Sequence, residues 1–423
     1  MATGPDRRSV VSWVVYDLAN TIFALGVLGV FFAEYLLSIG RSETELTLVV
    51  VGAAAVVIFV APWAGARSDV SGKRVPTLMA TTLIAVTATA LLATGPLALS
   101  LALLWVAIIA VNTGSVVYDA LLVDVSTPGN RGWVSGLGVG VGYLGSFIAV
   151  GIGAVTLSVL DWGYEGTFRA IAAGFLLFAL PSFFFIREQE RPVSGPAPGI
   201  GDLIRRIVDS WRLARSYRGV TRFLVGRFLY TDAINTLITG YLAFFVIDEL
   251  GLDRVLFEGL LVTAIASAIV GGLVAGRYVE RFGPLRVLRG VLVAWVLALS
   301  SGIASALTSV TWLVWVIGPI GGMALGATWA ADRVVMTRIS PPRYLGEFYG
   351  LYATVARFAT IFGPITWWFI VDIAGLSRTF AVGALAVFIA VSWWVLREVD
   401  DSPRAWGSDD RLVVSESPEP SPT

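Results

Sequence analysis

Asp17, Asn20 and Thr21 stand at i, i+3 and i+4 inside the apolar stretch "WVVYDLANTIF" and so share one face of a helix. Asn112, Ser115 and Asp119, at i, i+3 and i+7, make a second polar face of the same kind. Other polar groups in apolar surroundings are Glu34, Arg227, Asp232 with Asn235, Thr236 and Thr239, the neighbours Asp332 and Arg333, and Arg357. An ionised side chain at a bilayer centre costs about 3 kcal/mol on insertion scales, so such groups face a bundle interior or a wet cavity. Two chemistries suit the set. One is structural: buried Asp–Arg pairs, and amide hydrogen bonds that join helices. The other is a site for a small zwitterion, with Arg for a carboxylate, Asp for an ammonium group and Asn or Thr to orient it. The chain has no histidine, so any carried proton falls to a carboxylate, with Asp17, Asp119 and Asp232 as candidates.

The elements that position these residues are written in the composition. Of 423 residues, 56% are hydrophobic and 14% charged, and the mean hydropathy is +0.79. Soluble domains carry near 25% charged residues, so this is a membrane composition. Thirty basic and thirty acidic residues cancel, which argues against a nucleic-acid partner. Without Cys or His, disulfides, thiolate and imidazole metal sites and Ser–His catalysis are excluded, and the reading is of a protein that is not an enzyme and needs no metal or cofactor. No GxxxxGK[ST] loop is present for direct ATP drive. "GVGYLG" formally matches a dinucleotide fingerprint but lies inside an apolar span; its spacings Gly136/Gly140 and Gly138/Gly142 suit close helix packing.

At about 20 apolar residues per crossing, the sequence predicts twelve transmembrane helices near 11–37, 46–66, 77–94, 99–123, 134–159 and 170–186, then 223–247, 256–278, 287–306, 310–336, 348–371 and 380–396. The first is too long for the apolar region of a signal peptide and has no clear cleavage site, so it reads as an uncleaved span. Only Arg41, Arg169, Arg254 and Arg378 fall in loops on one side, whereas the termini and alternate loops hold most of the 30 basic residues. That bias predicts a multi-pass protein of the cell (inner) membrane with both termini cytoplasmic. The expected domains are 1–187, a six-helix bundle; 188–219, a linker carrying a basic amphipathic helix; 220–397, a second six-helix bundle; and 398–423, a disordered tail.

The two halves repeat. Gly65, Asp69 and Gly72 recur as Gly276, Glu280 and Gly283 at an offset of 211. Ser126–Leu137 aligns with Ser340–Leu351 at 214, and Asp17 and Asn20 match Asp232 and Asn235 at 215. A duplicated six-helix unit of this kind is the pattern of the major facilitator fold: all-α, with two bundles about a pseudo-two-fold axis.

The motif Gly65, Asp69, Gly72, Lys73, Arg74 resembles the signature of the major facilitator superfamily. Within it, "WVVYDLANTIFA", "VYDALLVDVSTPGNRGWVSGLGVGVGYLG", "GRFLYTDAINT" and "AADRVVMTRISPPRYLGEFYGLYATVARF" resemble the vacuole effluxer-like family, over nearly all of the membrane part. The resemblance implies a secondary transporter working by alternating access, and for fungal members export of amino acids from the vacuole. It also implies that the first and fourth helices of each half line a central cavity, where Asp17, Asp119, Asp232 and Asp332 would converge there or on its cytoplasmic mouth. The motif is expected to act as a conformational latch, with Asp69 capping a neighbouring helix or pairing with Arg131. Gly363–Pro364 is expected to bend the eleventh span. The expected cargo is an amino acid or related zwitterion, with protons as a coupling partner, a lipid bilayer as surroundings and a monomer as the working unit. The alternatives are a transporter of lipophilic drugs, lipids or organic anions, and a non-transporting receptor or scaffold acting through the basic linker.

Overall fold

The computed structural model describes residues 6–127, 130–188, 199–217, 219–341 and 344–402, and these are all helix and connecting turn. In the first half, α1 runs Arg7–Ser38, α2 Glu43–Ser71, α3 Val75–Ala90, α4 Leu97–Val125, α5 Arg131–Gly153 with a wide terminal turn Ala154–Val159, and α6 Gly163–Phe185. The linker helix α7, Ile200–Arg215, follows. In the second half, α8 is Val220–Thr236, continued irregularly to Glu249; α9 is Arg254–Phe282, α10 Pro284–Thr308 and α11 Thr311–Ile339. The eleventh crossing is split into α12, Leu345–Phe358, and α13, Phe362–Trp368 extended by Phe369–Ile373; α14 is Arg378–Leu396.

Ten helices among the described residues are long and apolar enough to cross a membrane. The expected third and seventh crossings fall short for separate reasons. Helix α3 has 16 residues, and α8 is interrupted at Thr239 and Gly240, whose backbone leaves helical geometry.

Packing separates the chain into two bundles. Helix α1 lies on α5 and α6, and α4 on α2 and α3; in the second half α9 lies on α11, and α14 on α8 and α10. Glycine makes the closest of these contacts possible. A Cβ at Gly145 would sit 2.3 Å from the Leu18 carbonyl, and one at Gly326 1.9 Å from that of Ala268. Of the glycine spacings singled out in α5, Gly138 and Gly142 do face α1, whereas Gly136 and Gly140 face open space. That part of the packing expectation is corrected: a four-residue spacing fixes a common face, and only the fold decides which face is buried.

The linker helix is amphipathic as expected, but its apolar side is occupied by protein. Ala214 is fully buried, and Ile207 and Trp211 line a groove with Leu224, Phe228, Val355 and Phe358 of α8 and α12. Tyr217 stacks edge-on against Phe348 at 5.5 Å. The preceding "RPVSGPAPG" lies, save for its last glycine, outside the described residues, as does the tail beyond Ser402.

The face of the molecule that carries α7 and the start of α1 is termed the linker face, and the opposite side the far face. On the far face the two bundles touch backbone to backbone. A Cβ on Gly29 of α1 would stand 3.0 Å from the Ile238 carbonyl, and one on Gly240 of α8 the same distance from that of Leu28. Gly240 has a φ of +84°, a conformation costing other L residues roughly 1–2 kcal/mol. Gly240→Ala is therefore expected to lower the thermal unfolding midpoint of the purified protein through strain at this crossing, whereas Gly136→Ala, in open space on α5, leaves it unchanged.

Candidate functional site

Arg227, Asp332 and Tyr230 form a buried knot in the second half. Arg227 Nε donates to Asp332 Oδ2 at 3.2 Å, Arg227 Nη1 donates to the Tyr352 carbonyl at 3.0 Å, and Tyr230 donates its hydroxyl to the same Asp332 oxygen. The guanidinium also lies over the Tyr352 ring, 3.4 Å from its centre. Arg227 thus joins α8, α11 and α12. Asp332 and Arg333 are neighbours in the chain, but consecutive residues point about 100° apart on a helix, so Asp332 is buried and Arg333 is exposed toward the gap between the bundles. At an offset of 214, one residue out of register with the Asp17–Asp232 match, Arg227 stands against Trp13 and Asp332 against Tyr118. Those two rings stack at 4.6 Å and exchange hydrogen bonds with each other's backbone carbonyl. The first half fills with aromatics the place where the second half holds an ion pair.

The repeated Asp–Asn pair has diverged in the same way. Asp232 is fully buried and faces the backbone N–H groups of Ile361, Phe362 and Gly363, where α13 begins, in a geometry too open for full hydrogen bonds. Asn235 donates to the Ala359 carbonyl at 2.9 Å, just past the end of α12. Together they serve the two loose ends of the break before Gly363–Pro364, which is the bend expected from the sequence. Gly363 is required there, because a Cβ would collide with Thr236. Asn112 is also satisfied locally, donating to the Ile108 carbonyl one turn earlier.

In the first half, Asp17 stays partly exposed against the glycines of α5, with its Oδ2 3.0 Å from where a Gly142 Cβ would be. Asn20 reaches Ser115 Oγ at 3.4 Å. The charges bearing on Asp17 are Asp119 and Arg333, and those bearing on Asp119 are Arg357 and Arg333. Asp119 and Arg333 are exposed, and Arg357 partly so. Among the described residues none of these four makes an ion pair within 4 Å. Two carboxylates on the first bundle therefore confront two guanidiniums on the second across an opening on the linker face. Asp119 and Arg333 are mates at the 214 offset, as are Tyr143 and Arg357, so corresponding walls carry opposite charge. Arg333 stood out in the sequence only as the neighbour of Asp332, and Tyr143 did not stand out because a tyrosine carries no charge.

Deeper between the bundles lies a cavity of about 420 Å3. Its wall is largely apolar, including Leu25, Leu28, Ile238, Leu261, Leu325 and Trp329, with Thr21, Tyr143 and Ser146 as polar edges. Thr21 is one turn from Asp17 and donates to its carbonyl, so the apolar cavity adjoins the charged opening. Two other tryptophans lie away from this cavity: Trp367 is buried and donates to Glu43, and Trp105 is exposed and lies against Gly52.

The loop motif is bound within its own bundle. Gly72 has a φ of +70° and turns the chain. Arg74 Nη1 donates to the Ala120 carbonyl at 2.7 Å and lies 3.4 Å from Asp124, while Glu188 accepts the backbone N–H groups of Arg74 and Val75. Gly65 packs against Val116, and Lys73 is exposed. The Asp69 and Arg131 side chains, on which the latch expectation rests, lie outside the described residues.

With this geometry in view, comparison with known proteins is decisive for the family. A family model described as "Vacuole effluxer Atg22 like" matches residues 46–403. The chain belongs to that family. An uncharacterised transporter of the major facilitator type from Bacillus subtilis (strain 168), YxiO, is 25% identical over 408 residues, covering 89% of this chain and 92% of the relative. Autophagy-related protein 22-1 of Penicillium rubens is 24% identical over 297 residues, covering 64% of this chain and 50% of that protein. The chain thus spans about half the length of that fungal relative. Among solved structures, the nucleoside transporter NupG superposes with a TM-score of 0.71 at 12% identity, covering 93% of this chain and all of that one; at that identity the likeness shows the fold alone. This member of the Atg22-like family is a multi-pass secondary transporter of the major facilitator type.

The knot at Arg227 generates a test of what holds the second bundle. Arg227→Ala leaves Asp332 buried without its cation and is expected to cost about 3–5 kcal/mol, read as a lower thermal midpoint in detergent. The joint change Arg227→Met with Asp332→Leu is expected to recover most of the loss.

Proposed function

We propose that this chain carries amino acids or closely related zwitterions, those with apolar side chains foremost, out of the compartment facing the linker side. The excess of basic residues in the loops of that side supports a cytoplasmic linker face in a protein of the cell membrane. The observation that carries the reading is the opposed pair of charged walls: Asp17 and Asp119 toward a cargo ammonium, Arg333 and Arg357 toward its carboxylate. A cargo side chain then extends past Thr21 and Tyr143 into the apolar cavity. The four charges stay solvated while the site is empty, so the attraction is spent on cargo and not on each other. The name "vacuole effluxer" borne by the family supports efflux as the direction. Coupling to a proton gradient belongs to the same reading and, without histidine, requires a carboxylate.

The apolar cavity itself favours a second reading, in which a lipophilic cation or organic anion is the cargo and the charged opening only attracts it. Reconstituted vesicles given labelled leucine, alanine, glutamate or a lipophilic cation, with and without a pH gradient, separate the two. Leucine flux is expected to exceed that of the cation and to respond to the gradient. Asp119→Asn and Arg357→Gln are expected to assemble normally and to lose about ten- to hundredfold in kcat/KM, the worth of one charged hydrogen bond. Transport of the cation with no flux of any amino acid overturns the zwitterion reading.

A further inference from the structure

The far face is closed by two clamps of unlike chemistry. In the first, Glu43, the opening residue of α2, is fully buried and fully satisfied. Its two oxygens accept from Arg378 Nε and Nη2 at 2.8 and 2.9 Å, and Trp367 Nε1 donates to it at 2.9 Å. Arg378 also pairs with Asp248 at 2.7 Å, and Thr47 meets the Tyr241 hydroxyl nearby at 2.6 Å. The bonds of Glu43 to Arg378 and Trp367 and of Thr47 to Tyr241 cross between the bundles, and the Arg378–Asp248 pair lies within the second.

The second clamp lies at the equivalent place on the other side of the pseudo-two-fold axis. Its helix α9 opens with Arg254, which stands 211 residues after Glu43, the offset that relates Gly65 to Gly276. Here the balance fails. Glu34 at the end of α1 is 2% exposed, and neither of its carboxylate oxygens has a hydrogen-bond partner. The group of like charge that bears on it is Glu258 of α9, itself 7% exposed and with Oε1 unbonded. The other groups facing the pair are Arg254 of α9 and Tyr164 of α6. Arg254 does not cancel both acids. It lies 3.7 Å from Glu258 and gives its Nη2 to Ser158 Oγ of the other bundle at 2.5 Å. The arginine of α6, Arg169, is turned outward and paired with Glu165. Two buried carboxylates from opposite bundles thus share the field of one guanidinium without bonding to each other. With both ionised the dry interface holds one excess negative charge; with one proton bound to either acid it is neutral.

We propose that Glu34 and Glu258 form a proton-binding site whose single proton holds the far face shut, and whose release lets that face open. Binding adds one proton from the far-side solution to one carboxylate, and opening returns it there. This goes beyond the transport reading above: a proton taken from and returned to the far side carries no gradient energy, so the pair gates closure and is separate from the cargo charges Asp17 and Asp119. It accounts for why closure uses one permanent clamp and one titratable clamp: the first sets register, and the second makes closure depend on far-side pH.

The absence of cysteine makes a direct test simple. Spin labels on Thr94→Cys and Thr308→Cys, at the far ends of the third and ninth crossings, report the separation of the bundles by pulsed electron spin resonance in lipid nanodiscs. The otherwise native chain is expected to show a short distance at pH 5 and a growing long-distance population as pH rises. For one linked proton the ratio of the two changes by up to about tenfold per pH unit within the titrating range. Glu34→Gln and, independently, Glu258→Gln, each near the shape of the protonated acid, are expected to keep the short distance at every pH. Arg378→Ala is expected to lengthen the distance while leaving its pH response in place. A distance that ignores pH in the otherwise native chain, or a pH response that survives in both glutamine variants, overturns the proposal. No cargo or gradient enters the measurement, so a wrong cargo assignment leaves its outcome intact.

Discussion

An ionised side chain between helices in hydrocarbon has to be neutralised by a partner or reached by water, and that requirement sorts the charged residues of this chain. Arg227 and Asp332 neutralise each other in a dry knot that fastens three helices. Glu43 and Arg378 do the same between the bundles. Asp17, Asp119, Arg333 and Arg357 are instead reached by water and left apart. Glu34 and Glu258 have neither full pairing nor full hydration. The three conditions suit the three uses proposed for them: holding a bundle together, meeting a cargo, and responding to a proton.

The same sorting explains the state in which the transporter stands. On the far face the backbones cross at Gly29 and Gly240, and the two clamps lie beyond them. On the linker face, among the described residues, no hydrogen bond or ion pair joins one bundle to the other, and Asp119 and Arg333 are open to solvent. A cargo with both charges would bring the walls of that opening together, supplying between Asp119 and Arg357 the counter-charges that each lacks. Differential contact of this kind is what a ligand needs in order to shift a two-state equilibrium.

Much of the fold was legible in the sequence. Apolar runs of crossing length located the helices, the repeat implied two related bundles, and Gly363–Pro364 marked the break between α12 and α13. The use of each charge was harder to read, because repetition preserves position more faithfully than role. Asp17 and Asp232 match in sequence, yet one faces an opening and the other the start of a broken helix. Arg227 and Trp13 match in position and hold their bundles by unrelated contacts. Asp332 and Arg333 are adjacent in the chain and turn to opposite environments. Glu258 drew no attention because it stands at the edge of an apolar run, where a glutamate ordinarily meets water. Only the approach of α1 from the other bundle makes it a buried partner for Glu34.

The central claim is that opposite walls of one opening recognise the two charges of a zwitterion. Calorimetric titration of the purified protein with leucine, leucinamide and N-acetyl-leucine tests it most directly, since the side chain is constant and only the charged ends change. Leucine is expected to bind at least about tenfold more tightly than either analogue, because each analogue leaves one pair of charges unanswered. Equal binding of all three, or preference for an analogue lacking one charge, would contradict the account.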